Sequence, residues 1–534
     1  MRLLPGRLCI VVAALSMAVS VAAGQLGQDD ACLGAECDSV SYGDCGESGK
    51  PFAIYGASTS VTLSSSGEFA PYYIASNSHG TNVAADAFQA RASIMRPLYR
   101  DTRFSYGFGA DIIGGWSKGV DYDRYTSDGL WESRTRRQPT FYIQELYGEV
   151  KYRGVFVTAG LKENDRSIFD NSLNSGDIVM GSNARPIPQV RVGFIDFQDI
   201  PLTNGWVQIQ GEVAYGKCTD SDWLRDRYNY YNSFITTGVW MQYSRCYFRS
   251  NPDQPFSVTF GMQHASQFGG KWQMRENGKV IMESDCDLKF SDFVDAFLPS
   301  EGNSNDGYYP GNHLGSWDLK ARYRFHNGSE LTAYVQSPWE DGSGIGKLNG
   351  WDGVWGLQYS TGADNSWLAN LLVEYIDFTN QSGPMHWAPG DFPGTQIPGE
   401  ATGADDYYNN YMYNGWAHYG MSIGSPFLKS TVYNTDGYMR YTDTRVRGFH
   451  LGADGALGSQ LDWRLLFSYR TSWGTPLVPQ LEKQHDTSML VEAKWRIPGV
   501  SGLSLLGAFA FDAGNMYGDN FGCTFTLRYQ GFIF

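Results

Sequence analysis

The sequence predicts an all-β fold: a transmembrane antiparallel β-barrel of about 18 strands (range about 16–20), with long extracellular loops and a short irregular N-terminal periplasmic lead. Three observations predict it. The chain is rich in Gly (63), Tyr (34), Phe (30) and Trp (16), yet only 18% of its residues are charged, and its mean hydropathy is −0.35. A soluble α/β chain carries more Lys, Glu, Leu and Ala. Past the N-terminal apolar run, no stretch is apolar for long enough to cross a bilayer as a helix, which leaves strands with one face in lipid and one face wet. Finally, short and long connections alternate from about residue 100 onwards. The short ones fall at residues 152–154, 251–254, 325–329, 362–365, 458–460 and 498–502. The long ones fall at 117–138, 218–236, 268–312, 337–350, 377–415 and 471–485. Periplasmic turns and extracellular loops require this parity, and a β-sandwich has no reason to keep it.

The N-terminus sets the compartment. Arg2 and Arg7 precede an apolar run from Leu8 to Ala23, shorter than the roughly 20 residues of a span and ended by small residues. Residues 1–24 are therefore expected to be a cleaved signal peptide, which directs the chain to the cell outer membrane. Residues 25–50, polar, rich in Gly and Cys and without period, form the lead, and residues 51–534 the barrel. Losing two arginines takes the formal charge from −15 to −17. An acidic chain without a basic stripe is a poor match for nucleic acid. Seven cysteines remain after cleavage, with no CxxC pair or Cys/His spacing, so neither metal nor other cofactor is expected. Cys218 and Cys246 flank one predicted loop and are candidates to pair.

Individual strands show the period of two. Val207, Ile209, Val213 and Tyr215 alternate with Gln208, Gln210, Glu212 and Ala214. Leu503, Leu505, Phe509 and Phe511 alternate with Ser504, Ala508, Ala510 and Asp512, and Trp367, Ala369, Leu371, Val373 and Tyr375 form another apolar row opposite Asn370 and Glu374. Residues 52–63 and 70–78 compete to be the first strand, and 189–197 reads as strand or loop. The chain ends on Phe534, the aromatic expected of a barrel-assembly signal. Phe532 and Phe534 sit out of register with Phe525, Leu527 and Tyr529, which a bulge near Gly531 would reconcile.

No catalytic constellation stands out: there is no GxSxG, HExxH, phosphate loop or EF-hand loop. A non-enzymatic barrel is expected. Among eight histidines only His264, within a strand, reads as a lumen residue, and Asp405-Asp406 reads as a solvating loop pair. The loops do carry aromatics among polar groups: Trp223, Tyr228, Tyr230, Tyr231, Trp351, Trp387, Tyr407 and Tyr408. Flat rings stack on sugar CH faces while neighbouring Asp, Asn and Arg bond hydroxyls, which makes Trp223, Tyr228, Tyr230, Tyr231 and Trp387 candidate glycan contacts. If the inward residues Gln208, Gln210, Glu212, Asn370 and Glu374 instead line an open pore, the chain is a porin-like solute channel.

The stretch 175–188 contains prolines that block regular pairing, so it is expected to cross the lumen or mouth as an ordered loop. Arg185 within it needs a partner, and Asp177, Asp196 and Glu212 are candidates. Asn183-Ala184-Arg185-Pro186-Ile187-Pro188, after a Ser/Gly-rich run and before the Ile-Pro-Leu-Thr-Asn-Gly-Trp element that ends at Trp206, resembles the Wzi capsule-assembly outer-membrane family, in its Bacteroidota-like branch. The resemblance is sharpest over residues 145–270. It implies an 18-stranded barrel, a small periplasmic element, and lectin-like holding of capsular or other surface polysaccharide. It also marks Asp177, Asn183, Arg185, Pro186, Pro188 and Trp206 as motif and lumen residues. The expected partners are that polysaccharide, outer-membrane lipid, and the barrel-assembly machinery during biogenesis.

Overall fold

The computed structural model describes residues 50–125, 130–164, 167–227, 233–276, 279–285, 288–298, 311–340, 342–363, 365–383 and 405–534. The expected signal peptide, nearly all of the expected lead with Cys32, Cys37 and Cys45, and the candidate contacts Tyr228, Tyr230, Tyr231 and Trp387 lie outside these residues.

Eighteen antiparallel strands form the wall. The first nine are β1 (Ala53–Ser64), β2 (Ala87–Arg96), β3 (Phe104–Ser117), β4 (Phe141–Tyr152), β5 (Val155–Leu161), β6 (Gln189–Phe194), β7 (Val207–Lys217), β8 (Trp240–Ser250) and β9 (Phe256–Phe268). The second nine are β10 (Asn312–Arg324), β11 (Glu330–Trp339), β12 (Gly353–Ser360), β13 (Asn370–Asp377), β14 (Val446–Leu457), β15 (Leu461–Gly474), β16 (Pro479–Arg496), β17 (Leu503–Gly514) and β18 (Asn520–Ile533). Each pairs with the next, and β18 pairs with β1 from Ala53↔Ile533 to Ser64↔Gly522, which closes the cylinder and leaves no edge. One more member of the sheet, Gln198–Asp199, pairs with the start of β7 inside the turn that precedes it.

Alternation sorts the side chains. Leu146 and Val150 on β4, Phe256 and Phe260 on β9, Leu319 and Tyr323 on β10, and Phe521 and Phe525 on β18 point outward and are exposed, as a lipid-facing belt requires. Among the described residues, no helix is long and apolar enough to cross a membrane. Among the described residues four short helices sit in the connections at the long-loop end: α1 (Tyr72–Ala75), α2 (Ser221–Arg227), α3 (Phe290–Phe297) and a single turn at Gly342–Ile345.

Several sequence expectations change. Of the two candidates for the first strand, 53–64 is β1, whereas Pro71 opens a turn of helix at 72–75. Residues 189–194 form β6. The long connection expected at 471–485 is a tight one, because β15 runs on to Gly474 and β16 begins at Pro479 with Gly474↔Pro479 paired. No bulge occurs at Gly531: the β1–β18 register is unbroken, Ile533 continues the outward row, and Phe532 turns to the other face. Cys218 and Cys246 are not bonded to each other. Cys246 lies down the wall opposite Gly211, while Cys218 follows the rim residue Lys217. His264 is not a lumen residue. Its neighbour Gln263 reaches into the lumen, so His264 faces outward, where its ring stacks on His313 and Trp339 with centroids 5.2 and 5.4 Å away.

Candidate functional site

A polar lumen wall needs hydrogen-bond partners. Residues 65–86, 162–188 and 405–445 fold inward from the long-loop end and supply them. From β5 the loop 162–188 descends towards the short-turn end. There Lys320 donates to the Ile168 carbonyl (2.6 Å), Gln358 to Asp170 (2.9 Å) and Arg464 to the Ser172 carbonyl (3.0 Å). It then climbs back. His450 Nε2 donates to the Leu173 carbonyl (2.6 Å), and the Ser175 N–H donates to Glu374, which also accepts the Tyr334 hydroxyl.

Asp177 ties this loop to the wall. Its Oδ2 accepts Gln263 of β9 (2.9 Å) and Gln336 of β11 (3.2 Å), while Oδ1 accepts the N–H groups of Val179 and Met180 in a tight local turn. Asn183, fully buried, joins the three loops. Its Oδ1 accepts the Asn77 N–H (3.1 Å), and its Nδ2 donates to the Ser422 carbonyl (3.0 Å). Above, Trp416 Nε1 donates to the Val179 carbonyl (2.8 Å) and the Tyr408 hydroxyl to the Ile178 carbonyl (2.5 Å). Ile178, Val179, Trp416, Ile423, Phe427 and Leu428 fill the space between with one apolar core. The inward wall charge is also engaged: Glu212 of β7 is buried between Arg191 of β6 (2.6 Å) and Arg245 of β8 (3.1 Å).

Asp405 and Asp406 do not serve as solvating charges, nor do Tyr407 and Tyr408 reach outward. Both tyrosines are buried in the plug, Asp405 accepts the Ser382 hydroxyl, and Asp406 accepts Thr444 (2.7 Å) and Asn409 (3.2 Å). Desolvation by burial raises the Asp406 and Asp352 carboxyls from the ordinary 3.8 to about 6. Between about pH 4 and 6 the folded loop therefore holds protons that the unfolded loop has released, so its stability falls as pH rises through that window. Protease nicking within residues 405–445 is expected to be slower at about pH 5 than at about pH 7.5. Equal rates of nicking, with protease activity normalised, would remove the basis for this desolvation.

At the long-loop end of the plug lies a row of rings and guanidinium groups, half-buried except for Tyr122, which is buried. Arg185 lies between Tyr142 at the start of β4 (4.1 Å to the ring centroid) and Tyr419 (4.5 Å). Gly80, at φ +69°, passes beneath it, and a Cβ there would stand 2.7 Å from the Arg185 side chain, so this approach requires glycine. Next to Tyr419, Gly420 (φ +76°) packs on the Trp223 indole, where a Cβ would come within 2.4 Å. Arg227, one helical turn after Trp223 in α2, sits over both Trp223 (4.4 Å) and Tyr122 (3.4 Å). The row thus runs Tyr142, Arg185, Tyr419, Trp223, Arg227, Tyr122. Among the described residues no carboxylate comes within ion-pair distance of either guanidinium.

Arg185 accordingly pairs with none of the three acids expected for it. Asp177 is bonded to the wall residues Gln263 and Gln336, Asp196 pairs with Arg100 (2.8 Å), and Glu212 with Arg191 and Arg245. Pro186 and Pro188 are half-buried beside it, and pairing resumes at Gln189. Trp206 is not a lumen residue: it is 59% exposed in the turn before β7, at the short-turn end. Sequence reasoning missed Tyr142, Tyr419 and Tyr122, which come from distant segments. Only Arg227, four residues after Trp223, carried a local signal. Among the described residues, no group of three His, Cys, Asp or Glu side chains is placed to hold a metal ion.

No protein-family model matches the chain, and no curated protein matches its sequence. Among solved structures it is similar to Wzi of Escherichia coli, an outer-membrane protein involved in group 1 capsule assembly and a carbohydrate-binding β-barrel. That likeness has 12% identity and a TM-score of 0.53, and covers 90% of this chain and 84% of that one. OpdO of Pseudomonas aeruginosa shares 10% identity with a TM-score of 0.42, over 91% of this chain and 98% of that one. The outer-membrane protein OprD of the same organism shares 9% identity with a TM-score of 0.41, over 91% and 94%. The chain has the closed 18-stranded antiparallel fold of an outer-membrane β-barrel, and its relationship to Wzi is a distant structural one.

Proposed function

We propose that this barrel assembles or anchors capsular or other surface polysaccharide by lectin-like, non-catalytic binding at its extracellular mouth. The observation that carries this reading is the row from Tyr142 to Tyr122 lying over a lumen occupied by folded loops. Aromatic faces stack on sugar rings, and guanidinium forks donate to hydroxyls and carboxylates in a fixed geometry. Two guanidinium groups without carboxylate partners among the described residues favour a polymer whose repeat carries acid groups. The carbohydrate binding named for Wzi and the Asn183–Pro188 motif support the same reading. Of the residues that would line a porin-like channel, Glu212 is already bonded to the wall and Glu374 to both wall and plug.

Binding of purified capsular polysaccharide to the detergent-solubilised barrel tests the proposal. Arg185→Ala and Trp223→Ala are each expected to weaken it about tenfold, equivalent to about 1.4 kcal/mol. Planar-bilayer recording provides the contrast with a solute channel, since stable open conductance of the unaltered protein would sink the plugged-lectin reading. In cells, deleting the gene should shift capsule from the cell-bound to the shed fraction, and unchanged retention would count heavily against it.

A further inference from the structure

α3 lies outside the barrel, in the connection between β9 and β10. The Phe293 ring packs edge-on against Trp240 (5.4 Å) and Phe268 (5.2 Å) and tilts onto Tyr215 (5.6 Å). The Tyr215 hydroxyl donates to the Phe293 carbonyl (2.7 Å), and the Ser266 hydroxyl to the Ala296 carbonyl (3.0 Å). These wall residues point away from the lumen. Tyr215 alternates with the inward Glu212 and Ala214, and Ser266 shares its face with His264. Beneath the helix Gln242, cross-strand neighbour of Tyr215 and Ser266, is wholly buried, and its amide has no hydrogen-bond partner. Bare strands would present Gln242 and Ser266 to hydrocarbon, where an unsatisfied polar group costs several kcal/mol.

The helix has three sides. At 100° per residue, Phe293 and Ala296 face the wall, while Ser291, Asp292 and Asp295 share a polar side. Phe290, Val294 and Phe297, with Leu298 just beyond, form an apolar edge exposed by 84%, 43%, 37% and 60%. The Asp292 carboxylate accepts the Lys289 N–H (2.8 Å) and fixes the first turn. Trp240 beneath α3 and the outward Trp317 and Trp355 stand near the long-loop ends of their strands, the level of the outer aromatic girdle. A helix at that level meets wall, lipid and water on three sides, and its composition matches each.

We propose that α3 is an interfacial anchor whose edge Phe290–Val294–Phe297 is embedded in the outer leaflet, screening the polar wall residues behind it from lipid. The occupant is lipid rather than a second copy. The edge lies on the same outward side of the wall as the exposed Phe260 and Leu319, and its four side chains fall far short of the roughly 800 Å² per partner of a stable protein interface. This inference does not depend on what the mouth binds.

The test is photocrosslinking in intact outer membranes, with a benzophenone-bearing amino acid placed singly at Val294, Phe290 or Asp295 of the full-length chain. Heat-modifiable gel migration selects folded barrels, and two independent positions on the apolar edge guard against one variant failing to fold. Lipid-mass adducts at Val294 and Phe290 are expected to exceed those at Asp295 by about fivefold or more. Chain-to-chain dimers at the edge positions, or equal adducts at all three, would overturn the proposal.

Discussion

Glu212→Gln is expected to destabilise the folded barrel by about 3–5 kcal/mol, the cost of breaking a buried ion pair by removing one partner. Glu212 stands on the inward face of β7 with Arg245 directly opposite on β8 and Arg191 reaching across from β6. All three side chains are buried. Glutamine keeps the size and one acceptor but leaves two guanidinium groups facing each other without their shared anion. The readout is the urea midpoint of refolding into detergent micelles, followed by gel migration. A companion variant separates charge from packing: Arg191→Met, Glu212→Leu and Arg245→Met together are expected to recover most of the loss, because apolar residues of similar volume often replace a buried ion triad at little net cost. A single variant as stable as the parent would mean that water reaches the triad.

Trp416→Ala is expected to cost about 3–5 kcal/mol in the plug, as for other buried large-to-small changes, and its signature is electrical. Trp416 is fully buried between the loops 162–188 and 405–445 and is bonded to the Val179 carbonyl. Its loss opens a void in the apolar core of the plug and strands that carbonyl. The wall does not depend on it, so the barrel should still fold while the loops lose their common anchor. Planar bilayers should then show flickering conductance that the parent lacks. Trp416→Phe keeps most of the apolar volume and loses the N–H bond, a loss of about 1 kcal/mol, and should stay nearly silent. A silent Trp416→Ala would show that Asp177 and Asn183 hold the plug without it.

The wall was legible because its grammar is local. Period-two alternation marks a strand such as β7 from a dozen residues, and connection length sorts the turns by side. Where this grammar failed, tertiary pairing had overridden it. Residues 471–485 read as a long loop because polar residues such as Thr471, Gln484 and His485 look like loop, yet they extend a hairpin that continues beyond the wall. His264 reads as inward from its place within a strand, and an outward imidazole is costly in lipid. What removes that cost is a Trp ring from β11 and a His from β10, neither of them near in sequence. The site was the least legible part. Arg185 reads as a charge in want of a carboxylate, whereas its neighbours are the tyrosine rings that flank it. Tyr142 opens the wall strand β4 and Tyr419 lies in the loop 405–445, so the two flank Arg185 only after that loop has folded inward.

The β1–β18 seam bears on how such a chain comes to exist at all. Its paired residues stand at opposite ends of the described chain, from Ala53↔Ile533 onward, so β18, the latest strand of the wall in chain order, is also the one that completes β1. Until Asn520–Ile533 arrives, β1 and β17 each present a raw row of backbone amides, which hydrocarbon cannot satisfy and which invites pairing with any other open strand. Contacts of such sequence separation form slowly. A ribosome that stops short of residue 520 therefore yields not a smaller barrel but an open, adhesive sheet, and membrane insertion becomes an all-or-none event decided by the final fourteen-residue strand.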